Sequence, residues 1–458
     1  MVHTFYQNGY YIALDVNSGA VHVLDKLCFD LLNKFEDKLP EECPAEILEE
    51  LSAEYPEEEL LEVYGELLGL QKAGQLFSDD DYERFTDMMK GAPIKSMCLH
   101  ISHDCNLRCK YCFASTGDFG KGRMLMPVET GKKAIDFLLT HSGNRHNLEL
   151  DFFGGEPLMN WDAVKEIVDY ARSKEEEYNK KFRFTVTTNG VLLNDENIDY
   201  INKEMKNVVL SLDGRKCVND CMRPTVNQKG SYDIIVPKFQ KLVEKRLEGE
   251  NKEYYVRGTF TKQNLDFAKD VYHIADDLGF DQLSVEPVIA DASEPYAITE
   301  EDLPVIFEEY EKLAVEMIRR KKEEGRCFNF FHFMIDLDQG PCAIKRLRGC
   351  GCGNEYVSVT PDGDIYPCHQ FVGNDEWKMG NLDDETLDIS MKDQFACSNI
   401  YSKEDCRKCW ARFYCSGGCN ANNYSFNRDI LKPVKLSCEM ERKRVECAIM
   451  IKVAMADK

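Results

Sequence analysis

Three cysteines in one short segment have a spacing that predicts metal chemistry. Cys105, Cys109 and Cys112 follow a C-x3-C-x2-C pattern, directly after an apolar run over residues 97–102. Three thiolates in a tight loop can bind three irons of a [4Fe–4S] cluster and leave the fourth iron open to an external ligand. Zinc is the alternative, but structural zinc usually takes four ligands from paired knuckles. The spacing therefore favours an iron–sulfur cluster with one open iron.

A second, larger set of cysteines lies toward the C-terminus, where glycines and turns replace regular patterning, as in domains folded around metal. The set consists of Cys350, Cys352, Cys368, Cys406, Cys409, Cys415, Cys419 and Cys438. A tandem zinc ribbon uses similar knuckles and stays an alternative. Cys350 and Cys352 compete for one ligand position, and Cys342 lies just upstream. The remaining cysteines, such as Cys98 and Cys447, are interpreted as packing residues.

Between the two cysteine sets, strand-like and helix-like segments alternate. Predicted strands cover 97–102, 148–153, 182–187, 208–212, 254–259 and 282–288, with amphipathic helices between them. This alternation predicts a parallel α/β sheet, either open or a partial barrel. Right-handed crossovers then bring all the carboxyl ends of the strands to one face, beside the first cysteine loop.

Polar residues follow several of these strands at the ends that should share that face. Gly154-Gly155-Glu156-Pro157 follows the second strand, and the glycines would let the backbone approach a ligand closely. Thr188-Asn189-Gly190 follows the third, and Ser211 with Asp213 the fourth, with Arg223 shortly beyond. A turn explains the glycine segment alone equally well, and a salt bridge explains Arg257 on the fifth strand.

Together these motifs resemble the radical S-adenosylmethionine (SAM) enzymes, whose fold is a (β/α)6 partial barrel. The resemblance implies that the three-cysteine cluster binds SAM and releases a 5′-deoxyadenosyl radical. It assigns the SAM-binding segment to Gly154, Gly155 and Glu156, with Gly155 and Glu156 at the methionine amino group. Ser211 would contact the ribose region, and Arg223 the carboxylate.

The C-terminal cysteines are similar to the SPASM domain of radical SAM maturases, which carries two auxiliary [4Fe–4S] clusters and brings the expected total to three. The resemblance assigns Cys406, Cys409, Cys415 and Cys438 to the outer cluster. Cys368 and Cys419 belong to the inner one, with Cys350 or Cys352. Whether that inner cluster is fully ligated or keeps an open iron stays undecided.

Residues 1–90 form a separate, very acidic segment with a predicted hairpin over 10–24, three short helices and a wing-like strand at 74–77. The segment resembles the winged-helix leader-recognition element of peptide-modifying enzymes, although a plain packing module is the alternative. The expected domains are this recognition domain, a radical SAM barrel over 91–295, a bridging helix and linker over 296–345, and a SPASM domain over 346–458.

Composition narrows the choice of partners. The formal net charge is -24, which disfavours nucleic acid and anionic membranes. Neither a signal peptide nor a membrane-spanning run is apparent, so a soluble cytoplasmic protein is expected.

The whole pattern is most similar to the SCIFF maturases, which form thioether crosslinks in ribosomally made, Cys-rich peptides. The resemblance rests on residues 10–15 and 22–25, the first cysteine motif and Gly349-Cys350-Gly351-Cys352-Gly353. It implies a precursor peptide bound through its leader and an external one-electron reductant. Formylglycine formation as in anaerobic sulfatase maturation, a carbon–carbon crosslink, oxidative decarboxylation and a non-catalytic metal scaffold are the alternatives.

Overall fold

The computed structural model describes residues 1–249, 252–337, 346–384 and 386–456. Cys342 lies outside these described residues. Six parallel strands form the centre of the molecule: β4 Ser96–Ser102, β5 Asn147–Gly154, β6 Lys181–Thr188, β7 Met205–Ser211, β8 Glu253–Phe260 and β9 Gln282–Pro287. They lie side by side in chain order, and all six match the strands predicted from the alternation.

Helices connect and follow these strands in the expected (β/α)6 order. They are α4 Val128–His141, α5 Trp161–Tyr178, α6 Asp195–Glu204, α7 Lys216–Met222, α8 Tyr232–Leu247, α9 Phe267–Tyr272 and α10 Leu303–Glu324. The helix predicted over 266–278 is shorter than expected, because α9 passes into a π-helical turn over 273–277.

The sheet has two unlike faces. Along β8, Tyr254, Val256 and Phe260 are buried, whereas Tyr255 and Arg257 on the opposite face are half-buried or exposed. The same alternation runs along β5 and β6. A parallel sheet covered on both faces would read as continuous apolar strands. Here one face packs against helices. The other, called the cleft face below, is partly exposed and carries polar side chains such as Glu149, Thr185 and Arg257.

The sheet continues beyond β4 into the C-terminal region, which the sequence patterns did not predict. β11 Tyr356–Val359 pairs in parallel with β4, from Tyr356 opposite Ser96 to Val359 opposite Leu99. β12 Asp364–Tyr366, β13 Gly380–Asn381 and β14 Thr386–Leu387 follow in antiparallel order. At the other edge, β10 Asn329–Phe330 pairs with β9. Within the described residues the sheet stays open.

The C-terminal region otherwise consists of short helices and one long one. They are α11 Ile389–Cys397, α12 Glu404–Arg407, α13 Arg412–Cys415, α14 Asn420–Asn427 and α15 Lys435–Ala456. α15, predicted over 437–456, packs along α10 and shares the main hydrophobic core. None of the helices that the structure describes has the length and apolarity required to cross a bilayer.

The N-terminal module begins with a three-stranded antiparallel sheet of β1 Val2–Gln7, β2 Tyr10–Asp15 and β3 Val21–Leu24. Its helices are α1 Lys26–Leu32, α2 Ala45–Leu51 and α3 Glu57–Lys72. The predicted hairpin is present, but β1 was missed. The wing-like strand expected at 74–77 is wrong, because these residues form turns and bends and Phe77 adopts a positive φ of 49°.

This module is packed onto the rest of the chain. In β2, Ile12 and Leu14 belong to the main core, whereas Ala13 faces a separate core made with α1, α2 and α3. The His3 ring stacks on Trp410 at a centroid distance of 3.7 Å. The buried Arg412 guanidinium donates to Asn17 Oδ1 at 2.6 Å and pairs with Asp80 at 2.9 Å. The module is therefore anchored to the segment that carries Cys409 and Cys415.

Candidate active site and iron–sulfur sites

The first cysteine loop leaves the carboxyl end of β4 and folds back over the sheet. The Cys112 N–H donates to the Cys109 carbonyl at 3.2 Å, and the Leu107 N–H donates to Cys105 Sγ at 3.4 Å. Burial raises the pKa of Cys105 to about 12, and the Glu156 carboxylate and the other two thiols add to the rise. The three sulfurs therefore lie close together, and their thiolate form requires a positive partner such as iron.

Gly154 and Gly155 are required by close contact with the backbone before the first cysteine loop. A Cβ on Gly155 would lie 2.2 Å from the Asp104 carbonyl oxygen, and one on Gly154 would lie 2.3 Å from that of Ser102. The Gly155 and Glu156 N–H groups donate to these same carbonyls at 2.8 and 2.9 Å. The glycines thus bring the backbone against the root of the cysteine loop, whereas the sequence suggested close approach to a ligand.

Glu156 is buried and supports the neighbouring strand end. Its carboxylate accepts from Leu158 N at 3.1 Å, Thr188 Oγ1 at 2.8 Å and Asn189 N at 2.8 Å. A carboxylate has about four acceptor positions, so one is left for a further donor. Burial raises the pKa of Glu156 to about 6, and the three hydrogen bonds oppose that rise. The side chain can therefore position the Thr188–Asn189 turn and still accept from a cationic ligand.

Asn189 links that turn to the cysteine loop. Its Nδ2 donates to Asn106 Oδ1 at 2.7 Å and contacts Cys105 Sγ at 3.7 Å. The Asn106 Nδ2 is buried and has no hydrogen-bond partner within the described residues. Hydrogen bonds thus join the end of β6 to the first cysteine loop, and the Asn106 Nδ2 group stays unpaired among the described residues.

Arg223 lies in a buried network under the loop. Its Nη1 donates to the Tyr111 hydroxyl at 2.8 Å, and that hydroxyl donates to the fully buried Asp213 carboxylate at 2.8 Å. The Thr259 N–H also donates to Asp213 at 3.1 Å. Arg223 Nε is buried and, among the described residues, has no partner. An unpaired guanidinium donor in such a place fits a carboxylate ligand.

Ser211 ends β7 opposite Arg257 on β8, and both lie on the cleft face. Arg257 is largely exposed, and its guanidinium lies 3.5 Å from Glu286 at the end of β9. His332 Nε2 lies 3.6 Å from the same carboxylate. Burial lowers the pKa of His332 to about 4, although Glu286 opposes the shift. The cleft mouth therefore holds an ionised carboxylate between two basic side chains.

The eight C-terminal cysteines separate into two groups. In one, burial raises the pKa of Cys352, and the thiols of Cys368, Cys350 and Cys419 add to the rise. In the other, burial raises the pKa of Cys406 and of Cys415, and the Cys438 thiol adds to both rises, with Cys409 adding to that of Cys406. The partition coincides with the inner and outer sets expected from the resemblance. Both Cys350 and Cys352 lie with the inner set.

A pair of rings joins the first cysteine loop to the inner group. Phe113 directly follows Cys112, and His369 directly follows Cys368. Their ring centroids are 5.6 Å apart, and His369 also contacts Phe153 on the cleft face of β5. The two cysteine sites therefore border the same end of the cleft.

The residues present fit the expected cofactors. The first site combines three thiols in one loop with unpaired buried donors at Arg223 and Asn106, which suits an open cluster and a ligand carboxylate. The C-terminal region offers two groups of four thiols. Within the described residues, no three His, Cys, Asp or Glu side chains lie together as the ligands of a single metal ion. The fit to clusters therefore rests on the number and grouping of the thiols and not on a closed ligand cage.

Several site residues were missed by sequence reasoning. Tyr111 lies inside the cysteine motif and Asp213 in a strand end already noted as polar, so both had a signal. No sequence motif pointed to Glu286, His332 or His369, because only the three-dimensional fold brings these residues together at the cleft face. Arg412 was likewise hidden among the C-terminal cysteines.

Gly155→Ala tests the close approach of the glycine segment to the cysteine loop. The added methyl group would overlap the Asp104 carbonyl, which is backbone and cannot rotate away, at a cost of roughly 1–3 kcal/mol. We expect the loop to shift and the first cluster to be lost, measured as iron per chain after anaerobic reconstitution. Gly65→Ala, in α3 with nothing within 4 Å of the new methyl group, is the control. Full iron in both variants would contradict the assignment.

Comparison with known proteins agrees with this geometry. Residues 99–266 match the radical SAM superfamily, and residues 350–410 match the SPASM iron–sulfur cluster-binding domain. A cysteine-type anaerobic sulfatase-maturating enzyme of Clostridium novyi is 24% identical over 353 residues, which cover 72% of this chain and 89% of that protein. The radical SAM cyclopropyl synthase TigE of Paramaledivibacter caminithermalis is 22% identical, over 75% of this chain and 71% of its own length.

Solved structures share the fold. Native anSMEcpe with bound AdoMet superposes with a TM-score of 0.64 at 21% identity, over 78% of this chain and 99% of that one. Streptococcus suis SuiB bound to S-adenosylmethionine gives 0.53 at 16% identity, over 94% of this chain and 97% of that one. The two domain matches confirm the expected cofactors, namely SAM, a [4Fe–4S] cluster and further iron–sulfur clusters. The chain therefore contains a radical SAM domain over residues 99–266 and a SPASM iron–sulfur domain over residues 350–410.

Proposed function

We propose that this protein is a peptide maturase that forms a thioether crosslink in a ribosomally made, Cys-rich peptide of the SCIFF type. The crosslink joins a cysteine sulfur to a carbon of another residue. The observation that carries the proposal is the N-terminal module, which is anchored next to the outer cysteine group while its β3 edge stays open. A protein that only stored clusters would have no use for such a module.

The module suits the binding of an extended leader segment. Among the described residues, β3 pairs only with β2, so its outer edge presents unpaired backbone groups. Such an edge can accept an added strand. Because Val23 is exposed on β3, an apolar leader side chain could pack there. Once the leader is bound, the core peptide is held at high effective concentration near the cleft.

The charge of the module favours a neutral or basic leader. The first turn of α3 contains Glu57, Glu58 and Glu59, and α2 adds Glu46. These carboxylates repel acidic segments at low salt, and the effect declines as salt screens it.

The cleft face of the sheet suits an extended core peptide. Half-buried Thr185 and Thr187 on β6 and Thr259 on β8 offer hydroxyl groups along this face. At the mouth, the Glu286 carboxylate can accept a hydrogen bond from a peptide N–H, with Arg257 beside it. The substrate would lie between the first cysteine loop and the inner cysteine group.

The reaction removes two hydrogens from the peptide. When bound, the first cluster and SAM supply a carbon-centred radical that takes one hydrogen atom from the acceptor residue. The new S–C bond then requires loss of the thiol proton and of one more electron. Burial would raise the pKa of Glu286, but His332, Arg257 and Arg444 together hold it below its usual range, so this carboxylate is a weak base and the thiol proton passes to solvent. The two C-terminal cysteine groups provide sites for clusters that accept the electron, and an external reductant restarts the cycle.

The inner cysteine group supports a cluster whose four irons are all bound by cysteines of this protein. Burial raises the pKa of Cys352, and the thiols of Cys368, Cys350 and Cys419 all add to that rise, so the four lie near one another. A cubane takes four cysteine ligands, so we propose that the substrate sulfur bonds to carbon without first binding this cluster. The two cysteines that compete in the sequence are then both ligands.

Relatives support a peptide or protein substrate and also define the main alternative. A related structure, anSMEcpe with AdoMet and the Cp18Cys peptide, holds both in a fold like this one, with a TM-score of 0.64 at 22% identity. The sulfatase-maturating relatives favour oxidation of a Cys or Ser residue to formylglycine as the second candidate. That reaction does not require the N-terminal module.

The test is an anaerobic incubation of the reconstituted protein with SAM, a strong reductant and a Cys-rich precursor peptide of the SCIFF type. Mass spectrometry should show loss of two hydrogens from the peptide, one fewer cysteine open to alkylation, and 5′-deoxyadenosine. The same peptide without its leader should react at least tenfold more slowly.

Two results would redirect this proposal. Formation of 5′-deoxyadenosine with every cysteine still alkylatable would replace the thioether with another radical modification. A cysteine converted to an aldehyde that reacts with hydrazine would favour the formylglycine alternative.

Cys350→Ala tests the four-cysteine inner site. If Cys350 is a ligand, the variant should hold its inner cluster poorly and lose up to about a third of its iron, since that cluster is one of three. Cys397→Ala, an exposed cysteine outside both groups, should keep its iron. Iron analysis with Mössbauer spectroscopy measures both. Equal iron in the two variants would restore Cys352 as the single ligand from this pair.

Glu156→Gln tests the role of the buried carboxylate in SAM binding. The amide has one oxygen where the carboxylate has two, so the donors from Leu158 and Asn189 cannot both be satisfied. We expect the Kd for SAM to rise at least tenfold, or about 1.4 kcal/mol, in equilibrium dialysis of the reconstituted protein. Glu149→Gln, at a half-buried residue on β5, the strand that precedes Glu156, should change the Kd little. A Glu156→Gln variant with unchanged Kd would remove Glu156 from the SAM site.

A further inference from the structure

Lys403 is a buried lysine whose place in the fold calls for an explanation. Only 2% of its surface is exposed, and it directly precedes α12 in the C-terminal region. Its Nζ donates to the Gly417 carbonyl at 2.7 Å and to Asn420 Oδ1 at 2.9 Å. Both acceptors are neutral. They flank Cys419, so the ammonium is held within the cysteine-bearing turn.

Burying a charge without an opposite charge is costly, by several kcal/mol for an ammonium. Two neutral oxygens offset only part of that cost. A carboxylate would be the usual partner, as Asp80 is for the buried Arg412. The acceptors of Lys403 supply no such charge.

The charges that act on Lys403 come from thiols of both C-terminal groups. Cys406 and Cys415 belong to the outer group, and Cys419 and Cys352 to the inner one. Each raises the pKa of Lys403, against burial, which is the largest effect and lowers it. The ammonium is thus within electrostatic reach of both candidate cluster sites. A cubane with four cysteinate ligands is anionic, so two loaded clusters would provide the missing negative charge.

We propose that Lys403 is a positioning residue that serves as a shared counter-charge for the two auxiliary clusters. The inference rests on the proposed assignment of both cysteine groups to clusters. A nearby cation favours the more negative, reduced state of a cluster, and net charge and hydrogen bonding set cluster potentials. Lys403 therefore raises the reduction potentials of both clusters together, which keeps them matched for the electron that leaves the substrate.

The chain offers a matched control in Lys392. This lysine is also buried in the C-terminal region and is also held by neutral oxygens, those of Ala92 at 2.6 Å and Asn354 at 2.8 Å. The charged groups that act on it are Arg348, Asp393 and Glu355, with no cysteine among those that the structure identifies. Removing its charge should leave the cluster potentials unchanged.

The experiment compares Lys403→Met, Lys403→Arg and Lys392→Met in the full chain by redox titration followed by electron paramagnetic resonance. All are made with Cys105, Cys109 and Cys112 replaced by alanine, so that only the auxiliary clusters give signals. At the parent's midpoint potentials, Lys403→Met should lower the reduced-to-oxidised ratio of both clusters at least tenfold, which is about 59 mV for one electron. Lys403→Arg and Lys392→Met should match the parent.

Parent-like potentials in Lys403→Met, or a shift in only one cluster, would overturn the shared counter-charge. If Lys403→Met binds no auxiliary clusters, the Lys403→Arg variant distinguishes a role of the charge from a role in packing. Clusters retained with arginine support a role for the charge, whereas loss with arginine as well indicates a packing role. The titration uses no peptide, so its outcome is independent of whether a thioether is formed.

Discussion

The parallel pairing of β11 with β4 holds the two cysteine regions of this molecule in one frame. The first cysteine loop leaves the carboxyl end of β4, and β11 and β12 lead through a tight turn to Cys368. Backbone hydrogen bonds of a shared sheet fix these distances more firmly than side-chain contacts between separate domains would. The contact of Phe113 with His369 follows from this pairing. A cleft that opens onto both sites is the functional result.

Buried cations follow from the same arrangement. Arg223 beneath the first loop, Lys403 between the C-terminal groups and Arg412 at the module interface are all nearly inaccessible. Each stands where an anion is present or expected: a ligand carboxylate, a pair of clusters, or Asp80. In an acidic chain of net charge -24, these three cations differ from Arg246 and Lys392, which are also buried but donate to neutral oxygens.

The sequence predicted the central sheet and the cysteine sites well, because both depend on local patterns. Alternation of strands and helices located all six parallel strands, and the resemblance to the SPASM domain divided the C-terminal cysteines into two groups that the structure also keeps apart. Short strands such as β11 and β13 were missed, since two to four residues give too little periodicity. The wing-like strand at 74–77 failed because Phe77 takes a left-handed conformation that ends regular pairing.

The glycine segment shows the limit of motif reasoning at a site. Gly154 and Gly155 predicted close approach of backbone to something, but only the fold identifies the neighbour as the loop after β4. Glu286, His332 and His369 are far apart in sequence and carry no local signal. Their meeting at the cleft depends on strand order and on the C-terminal extension of the sheet.

The most direct measurement of the central claim uses the Cys-rich peptide with deuterium placed on the carbons of the candidate acceptor residues. The account predicts that deuterium appears in 5′-deoxyadenosine, in proportion to the thioether formed and only with the labelled acceptor. Crosslinked peptide without deuterium transfer, or transfer from a cysteine carbon with release of an aldehyde, would contradict it.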